Sequence, residues 1–342
     1  VSTVCTKQHY FIDVPDYALP VVKVTVDHND MFGSAGIWTN YNKSWEKPAN
    51  VSMYTDGKLD FSINCGVKIF GGGSRAEAKK SLALKFRSSY GASSLKYEVF
   101  PGYDVKEFDS LVLRSGVETM STTVFRDEIA AELALSGNEF SSTYVQNYRP
   151  VDLYINGEYY GIYFIREKLD DHYVESHLGV PADTVTVIEC KEGSATSEMG
   201  KLISYMENHN MNDPAVLQYV SDRVDIDCFI DYYILRAYTG DKDYPNIRFF
   251  KSSQGDGKWR VMLFDLDSIM DSNMNCFKIV LGTTTAQYST YIRPSARIFL
   301  SIIIQWAAIP PSCICCLKTT QLKTNSLNAR LIFLIRRSAL NL

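Results

Sequence analysis

The chain's 342 residues carry 35 basic and 39 acidic side chains, a net charge of −4, with 46% hydrophobic and 22% charged content. That is the composition of a soluble globular protein with room for one sizeable core or two smaller ones. Its weak acidity gives no global reason to expect nucleic acid, and no run of about 18 apolar residues offers a membrane span.

The charge is unevenly spread. Residues 1–271 hold 27 basic and 39 acidic side chains, whereas 272–342 hold eight basic ones and no acid. Four of the eight Cys fall in this tail. The other four stand far apart without metal-ligand spacing, and Cys65 and Cys228 lie in apolar contexts that suit buried free thiols. The chain opens at Val1 without a start methionine or recognisable leader, as a fragment or processed form does, so compartment is not read from that end. Asn42-Lys43-Ser44 and Asn50-Val51-Ser52 are glycosylation sequons that matter if a eukaryote secretes the chain.

In chain order, β-type runs at Val21–Val26, Val51–Tyr54 and Leu59–Ile63 predict a small sheet leading into the main domain. Phe70-Gly71-Gly72-Gly73-Ser74-Arg75 follows a strand and offers backbone N–H groups to phosphate. It matches neither a P-loop nor a dinucleotide fingerprint, and reads first as a plain turn. Alternation along Leu82–Arg87 puts Lys85 and Arg87 on one face, either a solvated edge or a phosphate contact. Residues 126–136 are helical by pattern and stop at Gly137-Asn138. Val151–Ile155, Asn156-Gly157 and Tyr159–Ile165 form the clearest hairpin, with a type I′ turn. It delivers Arg166-Glu167-Lys168, where a kinase site needs a phosphate lysine and its glutamate, although a surface ion pair is the plainer reading. Segments 195–210 and 213–238 are helical, the second turning Ile226, Phe229, Ile230, Tyr233 and Ile234 toward a core.

The densest chemistry follows. Gly240-Asp241-Lys242-Asp243-Tyr244-Pro245-Asn246 precedes one apolar run, and a Gly-rich turn at 254–257 leads into a second, Trp259–Asp267. A hairpin here brings its outer ends together. In an extended strand Asp265 and Asp267 share a face, so three or four carboxylates and the Asn246 amide converge. Such a cluster repels itself unless a cation sits in it, although any single acid is also an ordinary turn or cap residue. An EF-hand loop is excluded, because position six is Asn246 and Ser252 stands where the bidentate Glu belongs. Magnesium-dependent phosphoryl transfer fits, with Asp243 orienting the hydroxyl and Asn246 and Asp265 on the metal. Asp241, five residues before Asn246, is the alternative base.

These residues resemble the CotH kinase family, the spore-coat-protein-H-like atypical kinases, and specifically its secreted branch. The likeness runs through Gly66–Arg75, Lys79–Arg87 with Tyr90-Gly91, Leu111–Arg114, Phe125-Arg126-Asp127, Arg149–Lys168 and the 240–267 stretch, in family order. One departure is a loop one residue shorter than the family pattern between Pro245 and Asn246. The resemblance implies an α+β, atypical-protein-kinase-like two-lobed domain over residues 65–300, preceded by a small β region at 1–64. It implies ATP and Mg2+ or Mn2+ as cofactors, and Ser or Thr of secreted, coat or surface proteins as acceptor, outside the cytoplasm. It assigns Asp243 to the acceptor, and Asn246 and Asp265 to the metal with Asp267 as an outer or second-metal carboxylate. Lys168 or Lys85, with Glu167, goes to the phosphates, and Tyr163 and Trp259 sandwich the adenine. Two other classes stay open: a non-catalytic spore-coat or surface protein of the same fold, and a host-surface adhesin or invasin.

Residues 301–342 form an atypical tail. Its apolar stretch is too short for a bilayer and is broken by Gln305, and Cys313, Cys315 and Cys316 are too crowded for tetrahedral zinc. With acids gone while Lys, Arg, Cys and Ile persist, it reads as out-of-frame or mis-spliced translation fused to a genuine domain ending between 271 and 300. Truncation near residue 300 is expected to leave ATP binding intact and improve solubility, since exposed Ile and Cys favour aggregation. A truncated protein that unfolds while the full chain is stable contradicts this.

Overall fold

The computed structural model describes residues 18–117, 125–135, 142–189, 197–210, 213–241 and 246–270. The first half of the chain runs β1 (Val21–Val26), α1 (His28–Phe32), β2 (Lys47–Thr55), β3 (Lys58–Phe70), β4 (Ser81–Lys85), β5 (Leu95–Lys96), β6 (Glu107–Phe108), β7 (Ser110–Arg114), α2 (Arg126–Leu135) and β8 (Tyr144–Val145). Then come β9 (Tyr148–Ile155), β10 (Glu158–Glu167), α3 (Asp171–Leu178), β11 (Val185–Glu189), α4 (Glu198–Asn208), α5 (Pro214–Ser221), α6 (Ile226–Thr239), β12 (Arg248–Ser252) and β13 (Arg260–Leu263). The fold is α+β and sheet-rich. It divides into two units, Val1–Phe125 with Gln146–Asp183, and Arg126–Val145 with Thr184–Leu342.

The first unit is a closed barrel in the order β1-β2-β3-β4-β7-β10-β9. Period-two alternation fills it: Val22, Val24, Val51, Met53, Val67, Ile69, Leu82, Leu84, Leu111, Leu113, Leu153 and Ile165 all lie in one buried cluster. Closure comes from the parallel pairing of β1 with β9, which leaves no open edge. The Asn156-Gly157 turn has φ of 52° and 89°, the positive pair a type I′ hairpin needs. Asn156 also accepts the Val26 N–H at 2.9 Å, tying the turn to β1. The strands read as a separate region over 1–64 share this barrel, and β3 runs straight across residue 64. The Gly-rich turn becomes a short 3₁₀ turn at Gly73–Ala76, with Lys80 donating to the Arg75 and Glu77 carbonyls at 2.6 Å each.

The second unit holds a four-stranded sheet, β11-β12-β13-β8, with β12 and β13 antiparallel and β8 parallel to β13. The expected hairpin is therefore present. Helix α6 packs on β13, and α2 on α6 and β8. The stretch 213–238, read as one helix, is two. Asp213 caps α5 with Pro214 in its first turn, and Asp225 caps α6 through the Cys228 N–H at 3.1 Å. At the break the Arg223 and Val224 N–H groups still reach the Val220 carbonyl, whereas the Asp225 N–H donates to the Trp259 carbonyl and the Arg223 carbonyl accepts the Trp259 N–H, so the chain turns to β13 instead of continuing the helix.

Cys65 and Cys228 are buried free thiols, and burial pushes Cys65 up to about 12. No helix among the described residues is long and apolar enough to cross a membrane. The tail reading falls on residues outside those described.

Candidate active site

The open end of the β12–β13 hairpin brings Asn246 and Asp265 together, the Asn246 Nδ2 donating to the Asp265 Oδ2 at 2.6 Å. Asn246 is buried and Asp265 half-buried. The shared strand face expected for Asp265 and Asp267 is not formed. Strand β13 ends at Leu263, and Asp265 takes a left-handed φ of 59°, so the i, i+2 rule no longer applies. Asp267 accepts from Ser268 Oγ at 3.3 Å. Asp243 lies outside the described residues.

Asp241, the alternative base, is an internal counterion instead. It is fully buried, its carboxylate held by the Nε and Nη2 of Arg236, which is also fully buried. Arg236 donates further to the Tyr232 hydroxyl and, at 3.3 Å, to the Asn246 carbonyl. One guanidinium thus fixes residues 241 and 246, the two ends of the loop. A buried charge persists only when paired and hydrogen-bonded, and this one is both. The sequence reading passed over Arg236. The available signal was a permanent cation in the last turn of a largely apolar helix, shortly before the Gly240 cap.

The chemistry of this donor set suits magnesium, since the Asn246 Oδ1 and the Asp265 carboxylate are hard oxygen ligands. Among the described residues no group of three or more His, Cys, Asp or Glu side chains forms an all-protein cage. An open set of this kind matches the habit of magnesium, which takes one or two carboxylates and completes its shell with phosphate and water.

In the first unit, β4 and β10 flank β7, with Lys85 opposite Ser110 and Glu167 opposite Leu111. Both strands therefore end side by side, which brings Lys168 against Lys85. Each ammonium has its own carboxylate: Lys168 with Asp170 at 2.5 Å, Lys85 with Asp109 at 3.9 Å. Burial, followed by the Lys168 charge, pulls Lys85 down to about 8. Burial also lowers Lys168, but the charge and hydrogen bond of Asp170 outweigh it and the net shift is upward. A cavity of about 470 Å³ opens here, with Asp109, Ser110, Glu167, Lys168 and His172 in its wall. The expected Glu167–Lys168 pair is not made, because neighbours at a strand end point to opposite faces. Glu167 instead accepts from the Asn147 backbone at 2.9 Å, its side chain at 2.7 Å, and contacts His177 Nε2 at 2.9 Å. Arg87 has left the strand and pairs with Glu46.

The two aromatic candidates are packed residues. Tyr163 is fully buried in the barrel, its hydroxyl donating to the Lys80 carbonyl at 3.0 Å and its ring covered by Lys79 Nζ at 4.4 Å. Trp259 is 2% exposed, and its backbone pairs with Arg223 and Asp225. It stands at the turn end of the hairpin, roughly 20 Å of extended chain from Asp265.

A family model described as CotH kinase protein matches residues 67–297, more than half of the chain. That span contains Lys85, Lys168, Asn246 and Asp265. No curated protein matches the chain.

The burial of Trp259 carries an expected outcome. Trp259→Ala should lower stability by about 3–5 kcal/mol, the cost of emptying a packed site. Chemical denaturation and ATP titration of the same variant separate the two roles. A stable variant with weakened ATP binding restores the ring as an adenine platform.

Proposed function

Because the chain belongs to the CotH kinase family, we propose that it is an atypical protein kinase using ATP with magnesium or manganese. Its acceptors are Ser or Thr hydroxyls of secreted, coat or surface proteins. On this reading the α+β fold is that of a two-lobed, kinase-like domain. The observation that carries it is the Asn246–Asp265 contact at the open end of the hairpin.

In this mechanism Asp265 and the Asn246 Oδ1 hold the metal, and Asp267 lends a further carboxylate nearby in sequence. Magnesium, when bound, neutralises charge on the transferring phosphoryl group. Lys168, in the cavity wall, and Lys85 beside it offset the remaining phosphate charge, and their partial burial strengthens each interaction. Asp243 orients the acceptor hydroxyl and takes its proton as the oxygen attacks the terminal phosphorus, whose bond to the bridging oxygen breaks to release ADP. Glu167, buried and bonded to Asn147 and His177, fixes the end of β10 from which Lys168 projects.

Transfer from labelled ATP tests this. Asp265→Asn keeps the shape and removes the charge, so it is expected to cut transfer by about a hundredfold or more while the fold persists. Equal activity in that variant sinks the assignment. A wild-type chain that binds ATP yet transfers nothing with either metal is instead a non-catalytic surface protein.

The pH dependence follows from Lys85. Its folded value of about 8 lies below the ordinary 10.5, so the free site keeps this cation below about pH 8 and loses it above. Bound phosphate favours the ammonium. ATP affinity is therefore expected to be flat below about pH 8 and to fall above it, with proton uptake on binding. Lys85→Met should bind more weakly and lose that slope. Calorimetric titrations across this range check it, and a wild-type affinity independent of pH contradicts it.

A further inference from the structure

We propose that Asp127 is a positioning residue for Asp265, holding the backbone there in its left-handed conformation. The proposal rests on Asp265 being the metal ligand. Asp127 is buried in the first turn of α2, and its Oδ1 accepts the Leu266 N–H at 3.1 Å. That N–H belongs to the peptide joining Asp265 to Leu266, whose plane is set by the ψ of Asp265. Fixing this bond therefore fixes the rotation that follows the φ of 59°.

A non-glycine residue with positive φ persists only where its surroundings over-determine it. Upstream, Leu263 is held in the parallel pairing with Val145. Downstream, Ile269 is buried and the Met270 N–H donates to the Thr239 carbonyl at 2.7 Å. These contacts anchor the loop on either side, and between them Asp127 holds the peptide after Asp265. Asp127 suits the task. Its carboxylate sits at a helix N-terminus, where negative charge is favoured, and a charged acceptor strengthens the bond to a buried N–H.

The connectivity points the same way. Residues 126–145 lie between two stretches of barrel sequence, yet they join the second unit. Within them β8 pairs with β13 two residues before Asp265, and α2 supplies the acceptor one residue after it.

The test compares wild type, Asp127→Ala, Asp127→Asn and Asp265→Asn by two readouts that need no turnover. Hydrogen exchange at the Leu266 amide is followed in metal-free protein, and Mn2+ binding is titrated directly in the presence of ATP. In Asp127→Ala, Leu266 exchange is expected to accelerate while the β12 and β13 amides keep their protection. Mn2+ affinity should fall by about tenfold or more, the scale seen when a supporting partner of a metal ligand is removed. Asp127→Asn keeps an Oδ1 acceptor and should stay within about threefold of wild type. Unchanged exchange and Mn2+ affinity in a folded Asp127→Ala overturns the proposal, as does an Asp127→Asn variant damaged like Asp127→Ala. Should Asp127→Ala not fold, Asp127→Asn decides alone, since a charge-based role gives loss and an acceptor-based role gives retention. Asp265→Asn separates the premises. Wild-type Mn2+ affinity in that variant defeats the metal assignment itself, whereas weak binding there beside normal Asp127→Ala defeats only the role of Asp127.

Discussion

The guanidinium of Arg236 is the constraint on which the second unit depends. Closed off from solvent in the last turn of α6, it must find acceptors or force its cost on the fold. It finds Asp241, the Tyr232 hydroxyl and the Asn246 carbonyl. The same geometry that satisfies the charge also ends the helix at Gly240 and sets where β12 begins. Asn246, held by its carbonyl from behind, then presents its amide to Asp265. A structural ion pair and the candidate metal site are successive links of one network.

In the first unit the equivalent constraint is electrostatic crowding. Two adjacent ammoniums repel, and they remain together because β4 and β10 end on either side of β7 and because Asp109 and Asp170 answer the charge. Burial first, and then this repulsion, depress the affinity of Lys85 for its proton. On the proposed function, an incoming polyanion relieves that repulsion.

Much of the fold was legible in the sequence because its turns are written in unambiguous residues. Asn156-Gly157 and the Gly-rich turn at 254–257 marked both hairpins, and Val21–Val26 marked β1 without error at either end. Closure of the barrel was not legible, since the parallel pairing of β1 with β9 joins strands more than a hundred residues apart. The site was legible in its composition and obscure in its geometry. Asn246 and Asp265 were named and do meet. The face shared by Asp265 and Asp267 failed because an Asp can take left-handed backbone and end a strand early, which periodicity does not register. Asp241 looked like a base because residue spacing does not register that Arg236, five residues earlier, closes on it inside the fold. Tyr163 and Trp259 were read as ligand platforms, whereas both are enclosed aromatic residues, the commoner fate of large rings.

On the proposed function, the Asn246–Asp265 pair holds the metal that accompanies ATP. The most direct measurement is anomalous scattering from crystals grown with Mn2+ and a non-hydrolysable ATP analogue. A manganese peak is expected within coordination distance of an Asp265 carboxylate oxygen and the Asn246 Oδ1, with phosphate oxygens completing the shell. Manganese bound elsewhere, or nucleotide bound with no metal at this pair, contradicts it.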